Sequence, residues 1–317
     1  MRILITTPPS LYASNLSREF VSLGHEVRQI SYGRAEQLLP AWVRHAYFLL
    51  KIFPSVLWSK TIITLDTYSV GVPSVLAATM FGKKIIVRIG GDFLWESYVE
   101  RTGNKITLRE FNSNPPQLNL KEKLIFFFTK VLVYLSDKLV FNTEWQRDIW
   151  QTRYGILESK SCVVRNHVPA KNKSLSQNET FLWAGRKIKL KNIESLEELS
   201  KEFEIEMVSG LSHGKLQEKI KNCYAVILPS FSEVCPNFIL EAASFGKPFI
   251  MTAETGLKEI YNKGGIFVDP FDKKALKQAI LEMLDDQKYQ EYKNEIDSQK
   301  FERSWQTVAQ EFISLCL

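Results

Sequence analysis

Short apolar runs alternate with longer stretches in which apolar positions recur every three or four residues, from one end of the chain to the other. Arg2 to Thr6, Val27 to Ile30, Thr61 to Leu65, Ile85 to Ile89 and Lys138 to Phe141 read as strands, with helical stretches between them. One such helix is predicted near Ser14 to Ser22 and stopped by Gly24. A polar tract from Arg165 to Thr180, carrying Pro169 with lysines and serines, breaks the pattern as an interdomain linker would. A second series follows, with strands expected at Phe181 to Ala184, Ile205 to Val208, Tyr224 to Leu228, Pro248 to Met251 and Ile266 to Val268, and a helix from Lys273 to Leu284. Parallel neighbours need long crossovers, so strict alternation implies two α/β halves, each a Rossmann-like, doubly wound parallel sheet. The expected domains are residues 1–168 and 181–300, joined by a linker at 169–180. The amphipathic segment 301–317 is predicted to pack back on the first half. Two such halves facing each other leave a cleft, and ligands of these sheets bind at the carboxyl ends of the strands.

Composition narrows the picture. A chain of 317 residues, 45% hydrophobic and 24% charged, has room for two cores and the make-up of a folded protein. The net charge of +6 suits an anionic ligand or an anionic membrane surface. The positive residues are dispersed, so no nucleic-acid partner is expected. Cys162, Cys223, Cys235 and Cys316 show neither metal-ligand spacing nor a disulfide framework, which leads us to expect no metal site and a reducing, cytoplasmic setting. The chain opens directly on a strand pattern, and nothing in it approaches the roughly 20 apolar residues of a membrane span.

The chemistry is concentrated after residue 184. Glu233 and Glu241 stand eight apart, just beyond the apolar run ending at Leu228, and Pro236 is predicted at the first position of the intervening helix. Glu241 then lies about 8 Å along the axis from Pro236. Two acids so placed can bracket a ligand whose anionic part rests on a helix N-terminus, as the diphosphate of a nucleotide sugar would. Gly185-Arg186 follows the first strand of the second half, with Lys191-Asn192 five residues later. Arg186 can fork onto phosphate oxygens, and Lys191 adds a mobile positive charge. The neighbours of Glu241, among them Phe238, Ile239, Leu240 and Ala242, are apolar, so its helix should be largely buried and its carboxylate should have a partner. His167 and His213 stand apart from these motifs and are assigned no role.

Ser232-Glu233 through Glu241-Ala242, followed by Gly246-Lys247-Pro248, resembles the Glu-x7-Glu motif of the retaining glycosyltransferases of the GT-B fold, glycosyltransferase family 4. Gly185-Arg186 with Lys191-Asn192 is similar to that family's diphosphate-binding pair, and Thr255-Gly256, Glu259 and Gly265 to Pro270 are similar to its C-terminal pattern. In the first half Leu23-Gly24-His25-Glu26-Val27 resembles the turn after its first helix, and Asp92 stands near a point where its members often have a His or Asp. The resemblance implies a GT-B architecture with an acceptor-side N-terminal domain and a donor-binding C-terminal domain. It implies that Glu241 holds the donor ribose, Glu233 contacts the transferred sugar, and Arg186 and Lys191 neutralise the diphosphate with backbone amides of Asn237 and Phe238. It further implies transfer with retention, no cofactor or metal beyond the nucleotide-sugar donor itself, and a glycan or lipid-linked acceptor, as in polysaccharide biosynthesis.

Gly90-Gly91-Asp92 closes a strand of the first half, where Asp92 could orient or deprotonate an acceptor hydroxyl, or cap the following helix. The loop Pro8 to Ser14 lacks the glycine pair many relatives place against the diphosphate, and Cys235-Pro236 removes one backbone donor. These departures keep open a non-catalytic sugar-nucleotide-binding partner of an active transferase, and the same fold also leaves open a nucleotide-sugar epimerase or hydrolase. Trp42, Tyr47, Phe48, Phe53 and Trp58, among Arg44, His45, Lys51 and Lys60, suit peripheral contact with the inner face of a membrane. Such a stretch is more commonly a core helix with a basic solvent edge.

Overall fold

The computed structural model describes residues 1–33, 36, 38–172, 179–299 and 301–317. It divides into two compact units, each built on a parallel sheet with helical crossovers, in keeping with the two Rossmann-like halves expected from the alternation. The first comprises residues 1–94, 115–165 and 304–317, and the second residues 95–114 and 166–303. Both units are therefore discontinuous: residues 304–317 return to the first, and residues 95–114 belong to the second. The segment 95–114 follows a strand of the first unit, but its hydrogen bonds to Lys189 and Ser232 tie it to the second.

In the first unit, β1 (Arg2–Thr7), β2 (Glu26–Ser31), β3 (Thr61–Thr64), β4 (Lys84–Ile89), β5 (Lys138–Phe141) and β6 (Ser161–Val163) form one sheet in the order β2-β1-β3-β4-β5-β6. β3 and β4 read as continuous apolar runs because they are buried on both faces, as central parallel strands must be. β2 lies at the sheet margin and is largely exposed; Arg28 lays its guanidinium over the Trp58 ring, 4.3 Å from the centroid. The hydrophobic pattern did not reveal β6, whose three residues are only half-buried at the other margin. The predicted first helix runs over Leu11–Ser22, capped by Ser10, and Gly24 takes a φ of 82° in the turn that follows it. Helix Trp305–Cys316 packs beside it, burying Val308, Ala309 and Phe312 in the same core as Leu16 and Phe20.

In the second unit, β7 (Phe181–Ala184), β8 (Ile205–Val208), β9 (Ala225–Leu228), β10 (Phe249–Thr252) and β11 (Gly265–Val268) take the order β11-β10-β9-β7-β8. The chain leaves β7 for β8 on one side and then crosses to β9 on the other. The order reverses between β7 and β9, and the loops leaving their carboxyl ends diverge there to open a crevice. Those loops carry Arg186 and Lys191 after β7, and Glu233 after β9. Topology thus brings to one sheet edge residues up to 47 positions apart.

Candidate functional site

The loop after β7 is shaped by Asn192, the only non-glycine residue with positive φ (55°) among those described. Its side chain explains why it can hold that conformation: Nδ2 donates to the Pro270 carbonyl at 2.8 Å, and Oδ1 accepts from Ser195 Oγ at 2.8 Å. Both bonds are buried. They fix the end of the short 3-10 turn Lys189–Lys191, and with it the base of the Lys191 side chain.

Lys191 Nζ pairs with Glu233 Oε1, and Ser230 Oγ donates to the same oxygen at 2.6 Å. The lysine and glutamate side chains are only 17% and 10% exposed, so neither charge is well solvated and each depends on the other. The backbone of Glu233 is held as firmly. Its N–H donates to the Glu254 carbonyl at 3.0 Å, and its own carbonyl accepts from Gly256 N at 3.3 Å. This ties the loop after β9 to the Thr255-Gly256 turn after β10.

Arg186 is held differently. Its side chain is 70% exposed, and Nη2 donates to Glu96 Oε2 at 3.1 Å. One turn further along the same helix (Phe93–Thr102), Glu100 Oε1 accepts from Lys189 N at 2.7 Å, and the Glu100 carbonyl accepts from Lys189 Nζ at 3.0 Å. Two acids at i and i+4 thus face the phosphate-loop candidates. An exposed pair of this kind is worth up to about 1 kcal/mol, so an anionic ligand could displace Glu96 from Arg186 at small cost.

The helix carrying Glu241 begins at Asn237, one residue later than its sequence suggests. Pro236 is the N-cap, because its ψ of 116° is extended, and its carbonyl accepts the first helical bonds from Ile239 N and Leu240 N. The N–H groups of Asn237 and Phe238 come too early in the helix to have intrahelical acceptors, which leaves them in the geometry that binds anions. The Asn237 side chain is pinned: its Oδ1 accepts from Asn166 Nδ2 at 3.0 Å. Phe238 is partly buried against the core of the unit.

Glu241 lies on the half-buried face of this helix, with its side chain 17% exposed. Its Oε2 is buried and has no hydrogen-bond partner. His213 Nδ1 stands 3.8 Å away, too far for a hydrogen bond but close enough to interact electrostatically. Burial pushes the Glu241 carboxyl above its ordinary range, against the opposing pull of His213. The expected partner is therefore a distant imidazole, from a residue whose sequence context gave it no role. The oxygen still has capacity for a donor such as a sugar hydroxyl.

Asp92 lies in the first unit, buried at the end of β4 before helix Phe93–Thr102. The other candidates all belong to the second. Sequence reasoning missed Glu96, Ser230, Asn192 as a positioning residue, and His213. No short motif links them to the acid pair, since only the crossings of the sheet bring them close. The loop after β7 also walls a solvent-open cavity of about 360 Å3 with Lys105, Lys187 and Phe231; Arg186, Lys191, Glu233 and Glu241 are not among its walls. Among the described residues, no three His, Cys, Asp or Glu side chains come together as a metal site.

Residues 168–300 match the family model described as glycosyl transferases group 1. No curated protein matches the chain. Sucrose-phosphate synthase from Thermosynechococcus elongatus is structurally similar over 99% of this chain and 98% of its own, with a TM-score of 0.74 and 14% identity. Anabaena HepE in complex with UDP-glucose is similar over 99% of both chains, with a TM-score of 0.67 and 15% identity. UDP-GlcNAc 2-epimerase from Methanocaldococcus jannaschii, in complex with UDP-GlcNAc and UDP, is similar over 99% of both, with a TM-score of 0.59 and 13% identity. At these identities the likeness establishes a shared fold of two Rossmann-like domains.

Proposed function

We propose that this protein is a glycosyltransferase that moves a sugar from a nucleotide-diphosphate donor to a glycan or lipid-linked acceptor, with retention of configuration and without a bound metal. The observation that carries this reading is the unsatisfied, buried oxygen of Glu241, on the helix whose free N–H groups follow the Lys191–Glu233 pair. It is supported by the match of this same stretch to the group 1 glycosyltransferase model and by the Glu-x7-Glu spacing. The roles follow from charge. As the bond between sugar and diphosphate breaks, negative charge builds on the departing phosphate oxygens. Arg186, released from Glu96, and Lys191 stabilise it there together with the amides of Asn237 and Phe238. Glu241 accepts from the ribose hydroxyls, and Glu233, fixed by Ser230 and its backbone, contacts the sugar in flight. In the first unit Asp92 is the acceptor-side residue of this reading, orienting or deprotonating the attacking hydroxyl.

A ligand bound only by the folded form raises its melting point, so a panel of nucleotide sugars screened for thermal stabilisation identifies the donor. Transfer is then assayed with acceptor, and the anomeric configuration of the product is read by NMR. Arg186→Ala and Glu241→Ala should each sharply reduce donor binding or turnover, and unchanged kinetics in both variants would defeat the site assignment. Because an epimerase shares this fold, donor turnover without any acceptor is the outcome that would favour epimerisation or hydrolysis. Binding without turnover across a broad acceptor panel would favour the non-catalytic partner.

A further inference from the structure

The helices Ala41–Trp58, Gly71–Met80 and Leu120–Leu135 pack side by side in the first unit. They connect β2 to β3, β3 to β4 and β4 to β5, steps that all run the same way across the sheet. Right-handed crossovers therefore place all three on one sheet face. Each buries an inward stripe, including Phe48 and Ile52 on the first helix, Val72 and Val75 on the second, and Ile125 and Leu132 on the third. A globular surface helix should then turn charge outward. On these helices many outward positions are apolar instead.

The outward positions of the first helix, Trp42, Ala46, Leu50, Phe53 and Leu57, recur at helical spacing, and all are exposed. Trp42 is 77% exposed and Leu50 73%. This helix therefore carries an apolar stripe beside the exposed Lys51, whose ammonium pairs with Glu36. The second helix adds Leu76 and Met80, and Phe53 packs edge-on against Phe81 just beyond it, with ring centroids 5.1 Å apart. The third helix exposes Leu124, Phe127 and Tyr134, interleaved with the exposed Lys121, Lys123 and Lys130. The three helices contain a single acid, Glu122, which is buried and bonded to the Asn119 N–H in a capping box. Their outward surface is therefore apolar and cationic, with no negative charge of its own.

We infer that this three-helix face seats the protein on an anionic lipid bilayer, lying in the interface with Trp42, Leu50, Phe53 and Phe127 among the acyl chains and the lysines against the headgroups. Apolar area and cationic charge on one face are the two contributions that together hold a peripheral protein on such a surface. None of the described helices is long and apolar enough to cross a membrane, so the face lies on the bilayer rather than spanning it. Charge also argues against a second copy as the occupant, because a two-fold contact would set like-charged lysine rows against each other. This inference does not depend on the donor chemistry.

The test is flotation of the full chain with vesicles of phosphatidylcholine alone or phosphatidylcholine mixed with phosphatidylglycerol. The protein should float with the anionic vesicles and stay behind with the neutral ones or in high salt. Leu50→Ser with Phe53→Ser and Phe127→Ser, and separately Lys121→Glu with Lys123→Glu and Lys130→Glu, should each weaken partitioning by roughly tenfold or more. Both variants should keep the parental melting curve and the parental thermal response to nucleotide sugars, which separates failure of this surface from failure of the transferase reading. Failure to float with anionic vesicles, or flotation undiminished in both variants, would overturn the inference. So would a concentration-dependent dimer that the serine variant abolishes, since a second copy would then cover the face.

Discussion

The two units share a sheet architecture but clothe their helices differently. In the second unit, several outward charges are paired: Lys277 reaches Glu202 at 2.5 Å, Lys219 reaches Glu206 at 2.7 Å, and Lys273 pairs with Glu198. Leu281 is an isolated exposed apolar side chain on helix Lys273–Met283, and scattered residues of that kind are ordinary on soluble surfaces. The first unit instead carries three adjacent helices whose outer faces are apolar and acid-free. The same sheet architecture thus carries two kinds of surface: ion pairs on helices of one unit, and exposed apolar side chains beside lysines on three helices of the other. Chemistry divides the opposite way, since all the charged candidates except Asp92 belong to the second unit.

That contrast can be broken at several points. The largest effect should come from Lys191→Ala, which strands the nearly buried Glu233 carboxylate without its cation. Turnover should fall at least about 100-fold as the diphosphate loses its counter-charge. The melting point should also fall, reflecting a loss of about 1–3 kcal/mol, read by calorimetry. Vesicle flotation should be unchanged.

Glu241→Gln comes next. It should weaken donor binding roughly tenfold, a hydrogen bond to a charged group being worth about 1.5–3 kcal/mol. Stability should move the other way. Burial raises the Glu241 carboxyl in the folded state, so the native form holds its proton more readily than the unfolded chain. The contribution of Glu241 to stability is therefore lost as pH rises above the ordinary carboxylate range. The glutamine variant lacks that loss, and melting curves at pH 5 and pH 8 should converge relative to the parent.

A smaller effect is expected for Glu96→Gln. It frees Arg186 from an exposed competitor and should tighten donor binding by up to about fivefold, most visibly at low salt. A weaker donor affinity in this variant would mean that Glu96 positions Arg186 rather than masking it. The smallest effect is expected for Lys273→Glu with Lys277→Glu on the second unit, which should change stability by no more than about 1 kcal/mol and leave vesicle binding untouched. Reduced flotation there would show that overall charge, rather than the three-helix face, draws the protein to lipid.

A second pH signature comes from Lys247, whose ammonium is buried and donates to the Cys223 carbonyl at 2.8 Å. Desolvation lowers it to about 8, so above that pH the folded state holds fewer protons than the unfolded chain. Stability attributable to this group should rise between about pH 8 and the ordinary lysine range. Lys247→Met should remove that rise in urea titrations across the window.

The sequence alone determined the alternation of strands and helical stretches. Buried parallel strands are runs of apolar residues, so the pattern bounds Lys138–Phe141 and Phe181–Ala184 as the structure has them, and it also bounds the half-buried margin strand Ile205–Val208. It also singled out the residue types of the candidate site, because the proposed diphosphate ligand would demand cations and its sugars acceptors. Short margin strands such as Ser161–Val163 bury too little to leave a periodic signal. What only the tertiary structure decided is who meets whom. The reversal of strand order between β7 and β9 sets Lys191 on Glu233, and the packing of residues 95–114 into the second unit sets Glu96 on Arg186. His213 beside Glu241, and the outward turn of Leu50 and Phe53, were likewise settled by packing. Periodicity says that a helix has faces, whereas which face the sheet covers is fixed by crossover direction and neighbours, information that no single segment contains.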